Sequence, residues 1–280
     1  MPGIRVVTDS SCDLPPALAE QHRIEIVPLT VRFGEEEFVD RRDLTPSQFW
    51  QRVAASPVLP ETAAPAPGAF EEAYRKAADE GCDGIVAITL SGDLSATYQS
   101  AEVAAKALEG EVEIRVVDSR SLTLALGMMC VTAAQLAERG ASLDEVATAV
   151  EDVKSRTRIL AALDTLENLK KGGRIGGAQA MLGTMLSIKP VIQIVNGKVE
   201  QESKQRTRSK SIRYLAEKVA EAGPIEQLAV LHGDAPDLDD LLDLLAKSYD
   251  RDRIIVGDIG AVIGAHGGPR TIGVTYQVPR

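Results

Sequence analysis

Residues 85–118 read IVAITLSGDLSATYQSAEVAAKALEGEVEIRVVD, and this stretch decides the fold class. Residues 85–90 form a nearly continuous apolar run, the pattern of a strand covered on both faces. Hydroxyl-rich residues follow at 91–97, and the alanine-rich segment after them predicts a helix to about Glu109. Residues 113–118 read as the next strand. Strand, helix and strand in succession imply a parallel sheet with its helices outside.

The same alternation extends both ways. Strands are predicted at 4–8 and 24–29 before this unit, and at 159–163, 191–195, 199–203, 228–232, 254–258 and 271–276 after it. Asn196-Gly197, between two of these runs, is a two-residue hairpin signal. Thr45-Pro46-Ser47-Gln48 offers a helix cap with proline at the first helical position, and Ser142-x-x-Glu145 is a capping box. Asp237 is placed to cap the leucine-rich run after it. Ile212, Leu215, Ala216 and Val219 recur at helical spacing and define one buried face. The four prolines at 57, 60, 65 and 67 predict a stiff extended loop over 56–68.

A chain of 280 residues is near the size at which one core divides. The alternation pauses near 140–158, so the boundary is placed at 153, giving 1–153 and 154–280 with four strands before and six after. The expected fold class is α/β, as two α/β domains with mostly parallel sheets.

Composition narrows the partners. With 44% hydrophobic and 26% charged residues the chain is neither disordered nor fibrous. The longest uncharged stretch, residues 121–137, is too short and too polar to span a bilayer. No basic-then-apolar leader opens the sequence, and a cytoplasmic location without membrane insertion is expected. A net charge of −10 argues against nucleic acid as a partner. Cys12, Cys82 and Cys130 lack a C-x-x-C pair, and His22, His232 and His266 lack ligand spacing. Neither a disulfide framework, a metal nor a cofactor is expected.

Three strand ends carry hydroxyl clusters: Thr8-Asp9-Ser10-Ser11, residues 91–97, and Asp118-Ser119-Arg120-Ser121. In open sheets ligands sit beyond such ends, and hydroxyls with free helix amides can hold an anion; each cluster could equally be a set of N-caps. Gly172–Gly177 with Arg174 could cradle an anion or make a tight turn. Residues 204–213 hold Lys204, Arg206, Arg208, Lys210 and Arg213 and no acid, which suits either a docking face or a solvated helix start. His266, in a glycine-rich loop, reads as poised at a cleft; His22 and His232 read as structural. No G-x-S-x-G elbow, Walker loop or G-x-G-x-x-G fingerprint follows a strand, which counts against a nucleotide-binding sensor.

Taken in order, TDSSCDLP (8–15), ETAAPAPGAF (61–70), SGDLSATYQSA (91–101), VVDSRSLTLALG (116–127), TLENLKKGGRIGG (165–177), IKPVI (188–192), QRTRSKSI (205–212) and GAHGGP (264–269) resemble the DegV family nearly end to end. That resemblance implies a fatty-acid-binding protein, the acyl-carrying subunit of a bacterial fatty acid kinase, with one long-chain fatty acid between two α/β domains. It implies that Thr62 and Ser95 hold the carboxylate, that Arg174 and His266 support the head-group site, and that Arg206 docks the kinase subunit. The chain departs from the family's usual T-S-Q-P, S-S-G-L-S-G-T-Y and H-T-G-P-G at Ala63, Ala64, Gly92, Asp93 and Arg270, among others, while Thr62 and Ser95 remain. The competing reading is a hydrolase or phosphotransferase on acyl or phosphate substrates, with Ser95 or His266 in direct roles.

Overall fold

A computed structural model describes residues 3–182 and 188–280. The first part of the chain runs β1 (Ile4–Asp9), α1 (Pro16–Gln21), β2 (Glu25–Val27), β3 (Thr30–Phe33), β4 (Glu36–Val39) and α2 (Pro46–Ala55). It continues with β5 (Glu61–Ala63), α3 (Pro67–Asp79), β6 (Gly84–Thr89), α4 (Thr97–Ala107), β7 (Ile114–Asp118), α5 (Thr123–Glu138) and α6 (Leu143–Arg156). Then come β8 (Thr157–Ala162), α7 (Glu167–Lys171), β9 (Lys189–Val195), β10 (Lys198–Gln205) and α8 (Arg208–Glu221). The chain closes with β11 (Gln227–His232), α9 (Leu238–Leu245), β12 (Ile255–Asp258), α10 (Ala261–Gly267) and β13 (Ile272–Gln277).

The expected mixed α/β fold is present. The first sheet, in the order β2-β1-β6-β7, is parallel throughout. Its strands are apolar on both faces because both are covered. Val6, Val86 and Ile88 pack with α5 and α6, while Val7, Ile85 and Ala87 pack with Phe70, Tyr74 and Ala101 of α3 and α4.

Parallel pairing is not general, however. In the second sheet, β10-β9-β8-β13-β11-β12, only β11 and β12 run parallel. Continuous apolar runs report that both faces are covered and carry no mark of strand direction, so apart from the hairpin that Asn196-Gly197 announces between β9 and β10 this sense was not legible. Leu160, Ala162, Val230 and Val274 face α8 and α9, whereas Ala161, Leu163, Ile192 and Leu231 face the other way, toward α5, α7 and α10. The functional cavity lies on that second face.

Seven strands, not four, precede residue 153 among the described residues, and that residue itself lies in α6. The extra strands include β3, β4 and β5, a small antiparallel sheet in the order β4-β3-β5. The proline-rich loop thus contains a three-residue strand and ends in a helix with Pro67 at its start.

Local signals held where their partners were local. Thr45 and Gln48 form a reciprocal capping box, as do Ser142 and Glu145. Asn196 and Gly197 both take positive φ, 49° and 81°, as a type I′ hairpin requires. The Gly197 carbonyl accepts from Ser91 Oγ at 2.7 Å, which ties the hairpin to the first sheet. Asp237 stands at the head of α9 but makes no side-chain cap; its carboxylate takes Arg208 at 2.6 and 2.9 Å. A charged bidentate pair outcompetes a cap.

Candidate functional site

An apolar cavity of about 190 Å³ lies between the inner face of the second sheet and the first part of the chain. Leu29, Leu90 and Leu122 line one side; Ala161, Ile192 and Leu231 line the other. Thr62, Ser95, Arg174 and His266 all line this one cavity, from four separate segments.

Thr62 reaches the wall because β5 pairs with β3, setting Val31 opposite Thr62. Its Oγ1 lies 3.0 Å from His266 Nε2. His266 sits in the last turn of α10, and that helix is anchored at both ends. At its start, Asp13 Oδ1 accepts from the Gly260 amide at 2.9 Å, and Asp40 accepts from the Ala261 amide. Near its end, Asn168 Nδ2 donates to the Ala265 carbonyl at 3.2 Å. Trp50 adds a bond from Nε1 to the Ile259 carbonyl at 3.1 Å. Burial, with the nearby Arg174 charge, pushes the His266 pKa down to about 4. The imidazole is therefore neutral at physiological pH, able to donate from one nitrogen and accept at the other. Its Nδ1 is buried without a partner among the described residues.

Ser95 stands just ahead of α4. Its Oγ meets Thr97 Oγ1 at 2.9 Å and accepts from the Thr97 amide at 3.3 Å. Ala96, at the N-cap, supplies no side-chain cap, so the positive end of the α4 dipole opens beside Ser95. Arg174 donates from Nε to the Leu94 carbonyl at 3.0 Å and from Nη1 to the Gly172 carbonyl at 2.7 Å. Those two bonds fix an exposed cation at the cavity wall. The glycine-rich run proves to be a close-approach device: a Cβ on Gly172 would collide with His266 Nδ1, and Gly176 and Gly177 lie against β10.

Of the three hydroxyl clusters, only residues 91–97 present a serine to the cavity. In the first, Asp9 accepts from Ser11 and the Leu90 amide, and Ser10 Oγ accepts from the Leu29 amide; these groups are buried scaffold. Residues 119–121 face a different cleft, though Leu122 and Thr123 just beyond them reach the cavity. Arg206 lies outside the cavity, exposed between β10 and α8. Lys204, Lys210 and Arg213 are exposed near it in sequence, whereas Arg208 turns inward to Asp237 and leaves the expected basic face. His22 pairs with Glu138 at 2.9 Å and His232 with Asp258 at 3.3 Å, consistent with structural roles.

Sequence reasoning missed the residues that hold α10, namely Asp13, Asp40, Trp50 and Asn168. Asp13 lies in a quoted motif, but only its long-range bond to Gly260 reveals what it does.

Known proteins agree with this architecture. A family model described as "Uncharacterised protein, DegV family" matches residues 3–278. A DegV domain-containing protein of Streptomyces coelicolor is 40% identical over 98% of both chains. A fatty-acid-binding DegV family protein from Thermus thermophilus superposes with a TM-score of 0.90 at 35% identity, covering 99% of this chain and 100% of that one. DegV from Bacillus subtilis, a fatty acid binding protein, does so with a TM-score of 0.87 at 29% identity over the whole of both chains. With the family pattern matched from one end to the other and the same fold in its solved members, the chain belongs to the DegV family.

Proposed function

We propose that the cavity binds one long-chain fatty acid, with Thr62 and Ser95 holding the carboxylate and Arg174 and His266 supporting it. The carrying observation is that these four side chains line one mostly apolar cavity. Similarity to solved proteins titled as fatty acid binding supports the same reading. About 15 buried methylenes at ~0.8 kcal/mol each contribute on the order of 12 kcal/mol before ordering costs. The tail thus dominates affinity, and the hydroxyls serve to orient the head group. In this reading residues 1–153 and 154–280 act as two lobes closing on the acid.

We further propose that this is a cytoplasmic carrier that presents the acid to a separate kinase subunit for acyl phosphate formation. Arg206 would dock that subunit. The enzyme alternative is weaker on geometry: His266 Nε2 meets Thr62, and Ser95 Oγ meets Thr97, so the histidine is not placed as a base on the serine. Mass spectrometry of an organic extract of purified protein tests the binding reading. Stoichiometric fatty acid is expected, and an empty extract from protein that also fails to take up added acid would sink it.

Two substitutions test the roles. Thr62→Ala and Ser95→Ala should each lower acyl phosphate formation with a kinase subunit about tenfold, while retained lipid falls only a few-fold. Full acyl phosphate yield in both variants would remove these residues from the head-group site. Arg206→Ala should lower phosphorylation of bound acid about tenfold at low salt, with the deficit shrinking as salt rises. A variant that instead loses its lipid while still binding the kinase subunit would overturn the docking role.

A further inference from the structure

Residues 119–121, the hydroxyl cluster after β7 that takes no part in the apolar cavity, border a second opening. It exists because the second sheet splits. β8 begins at Thr157 and β9 runs to Val195, yet their pairing stops at Leu160 opposite Gln193. Beyond that point Arg158 pairs with Tyr276 of β13, and Val195 with Lys198 of β10. A cleft of about 730 Å³ occupies the split and reaches Lys154 of α6 and Lys218 of α8.

The charge of this cleft opposes that of the chain. Arg120, Lys154, Arg158 and Lys218 border it against the carboxylates of Glu151 and Glu202, in a protein of net charge −10. The lysines are neutralised, Lys154 by Glu151 at 2.5 Å and Lys218 by Glu221 at 2.9 Å. The arginines are not: both are exposed, and neither meets a carboxylate among the described residues. Arg158 is steadied instead by the Ser155 and Thr157 carbonyls, each 3.0 Å from Nη1, which leaves Nε and Nη2 for a ligand.

Tyr276 points the same way. It is only 7% exposed, yet it borders the cleft, and its hydroxyl makes no hydrogen bond among the described residues. Its place opposite Arg158 in the ladder puts phenol and guanidinium on one face of the sheet. Burial raises the phenol pKa, and the Arg158 and Lys218 charges nearby work against that rise. A polar group so nearly buried is ordinarily matched by a partner.

We propose that this cleft binds a phosphate monoester, its phosphate held by Arg158, Tyr276 and Lys218, with Arg120 and Lys154 adding positive charge. The site is separate from the fatty-acid reading and does not depend on it. Two arginines without a carboxylate match the two negative charges of such an ester, and a guanidinium fork meets two phosphate oxygens at once. The tyrosine hydroxyl donates to a third. The volume exceeds what a free phosphate fills and falls within the roughly 300–1,000 Å³ of small-molecule sites. Leu160, Ile194 and Val195 offer the organic part an apolar surface.

Calorimetric titration of the purified protein at low salt with glucose 6-phosphate and with AMP tests the site, with inorganic phosphate as the comparison. At least one ester should bind with a Kd below about 1 mM and about tenfold more tightly than inorganic phosphate. Arg158→Gln should weaken it about tenfold or more, and Tyr276→Phe about fivefold. Arg139→Gln, which removes the same charge from an exposed position just past α5, should change it less than twofold. Binding of neither ester would overturn the proposal. So would equal losses in Arg158→Gln and Arg139→Gln, the mark of diffuse charge, and so would inorganic phosphate binding as well as the esters.

Discussion

Replacing Asp13 by Asn is expected to stabilise the protein at pH 8 by about 1–3 kcal/mol, a gain that vanishes near pH 4. Asp13 is buried beside Asp40, with Arg41 as their neighbouring cation; Arg41 Nη2 donates to Asp13 at 3.0 Å. Burial outweighs that cation and raises the carboxyl pKa from 3.8 to about 6. Between those values the folded protein keeps a proton that the unfolded chain has released. Stability from this group is therefore greatest below about pH 4, falls as pH rises to about 6, and stays low above that. Asn mimics the neutral form. Its carbonyl can still accept from Gly260 and Arg41, while its amide takes the place of Oδ2 near the Thr123 hydroxyl. Urea midpoints followed through Trp50, the single tryptophan, would measure the effect at both pH values. Trp50 suits this because it packs against Gly233, just after β11, and Gly264, in the middle of α10. A variant weakened at pH 8 but not at pH 4 would show that the fold needs Asp13 as an anion.

Gly172→Ala should cost about 2–3 kcal/mol of stability and displace His266 from Thr62. Gly172 has ordinary helical dihedrals, φ −74° and ψ −6°, so alanine meets no backbone strain there. The objection is steric: the added Cβ would overlap His266 Nδ1 and lie 2.9 Å from its Cε1, with the Asn168 carbonyl oxygen 3.1 Å away, so the imidazole has to shift. Removing the imbalance at its source should remove the cost. In a His266→Ala background the same glycine substitution should be nearly free, giving a coupling energy of about 2 kcal/mol in a double-mutant cycle. Additive costs would mean that Gly172 matters for another reason, and the close packing of α7 on α10 would lose its role in placing the histidine.

Signals that are local or periodic survived intact from sequence to structure. The apolar runs became strands, the boxes at Thr45 and Ser142 became caps, and Asn196-Gly197 became the hairpin turn. Ile212, Leu215 and Val219 became the buried stripe of α8. Each of these needs only neighbours within a few residues. The family motifs added Thr62, Ser95, Arg174 and His266 without any geometry.

What remained hidden depends on partners far along the chain. Thr62 is on the cavity wall because three residues at 61–63 pair with β3, and a strand that short has no pattern of its own. Arg208 looks like its exposed basic neighbours until Asp237, 29 residues on, draws it inward. Beyond the β9–β10 hairpin, the second sheet's antiparallel sense was silent because strands buried on both faces look alike in either direction. By itself the sequence determined most of the strands and helices, β3, β4 and β5 excepted, and which residue types could meet a head group. Only the tertiary structure decided that they share one cavity, since that follows from long-range pairing and burial, which no local stretch encodes.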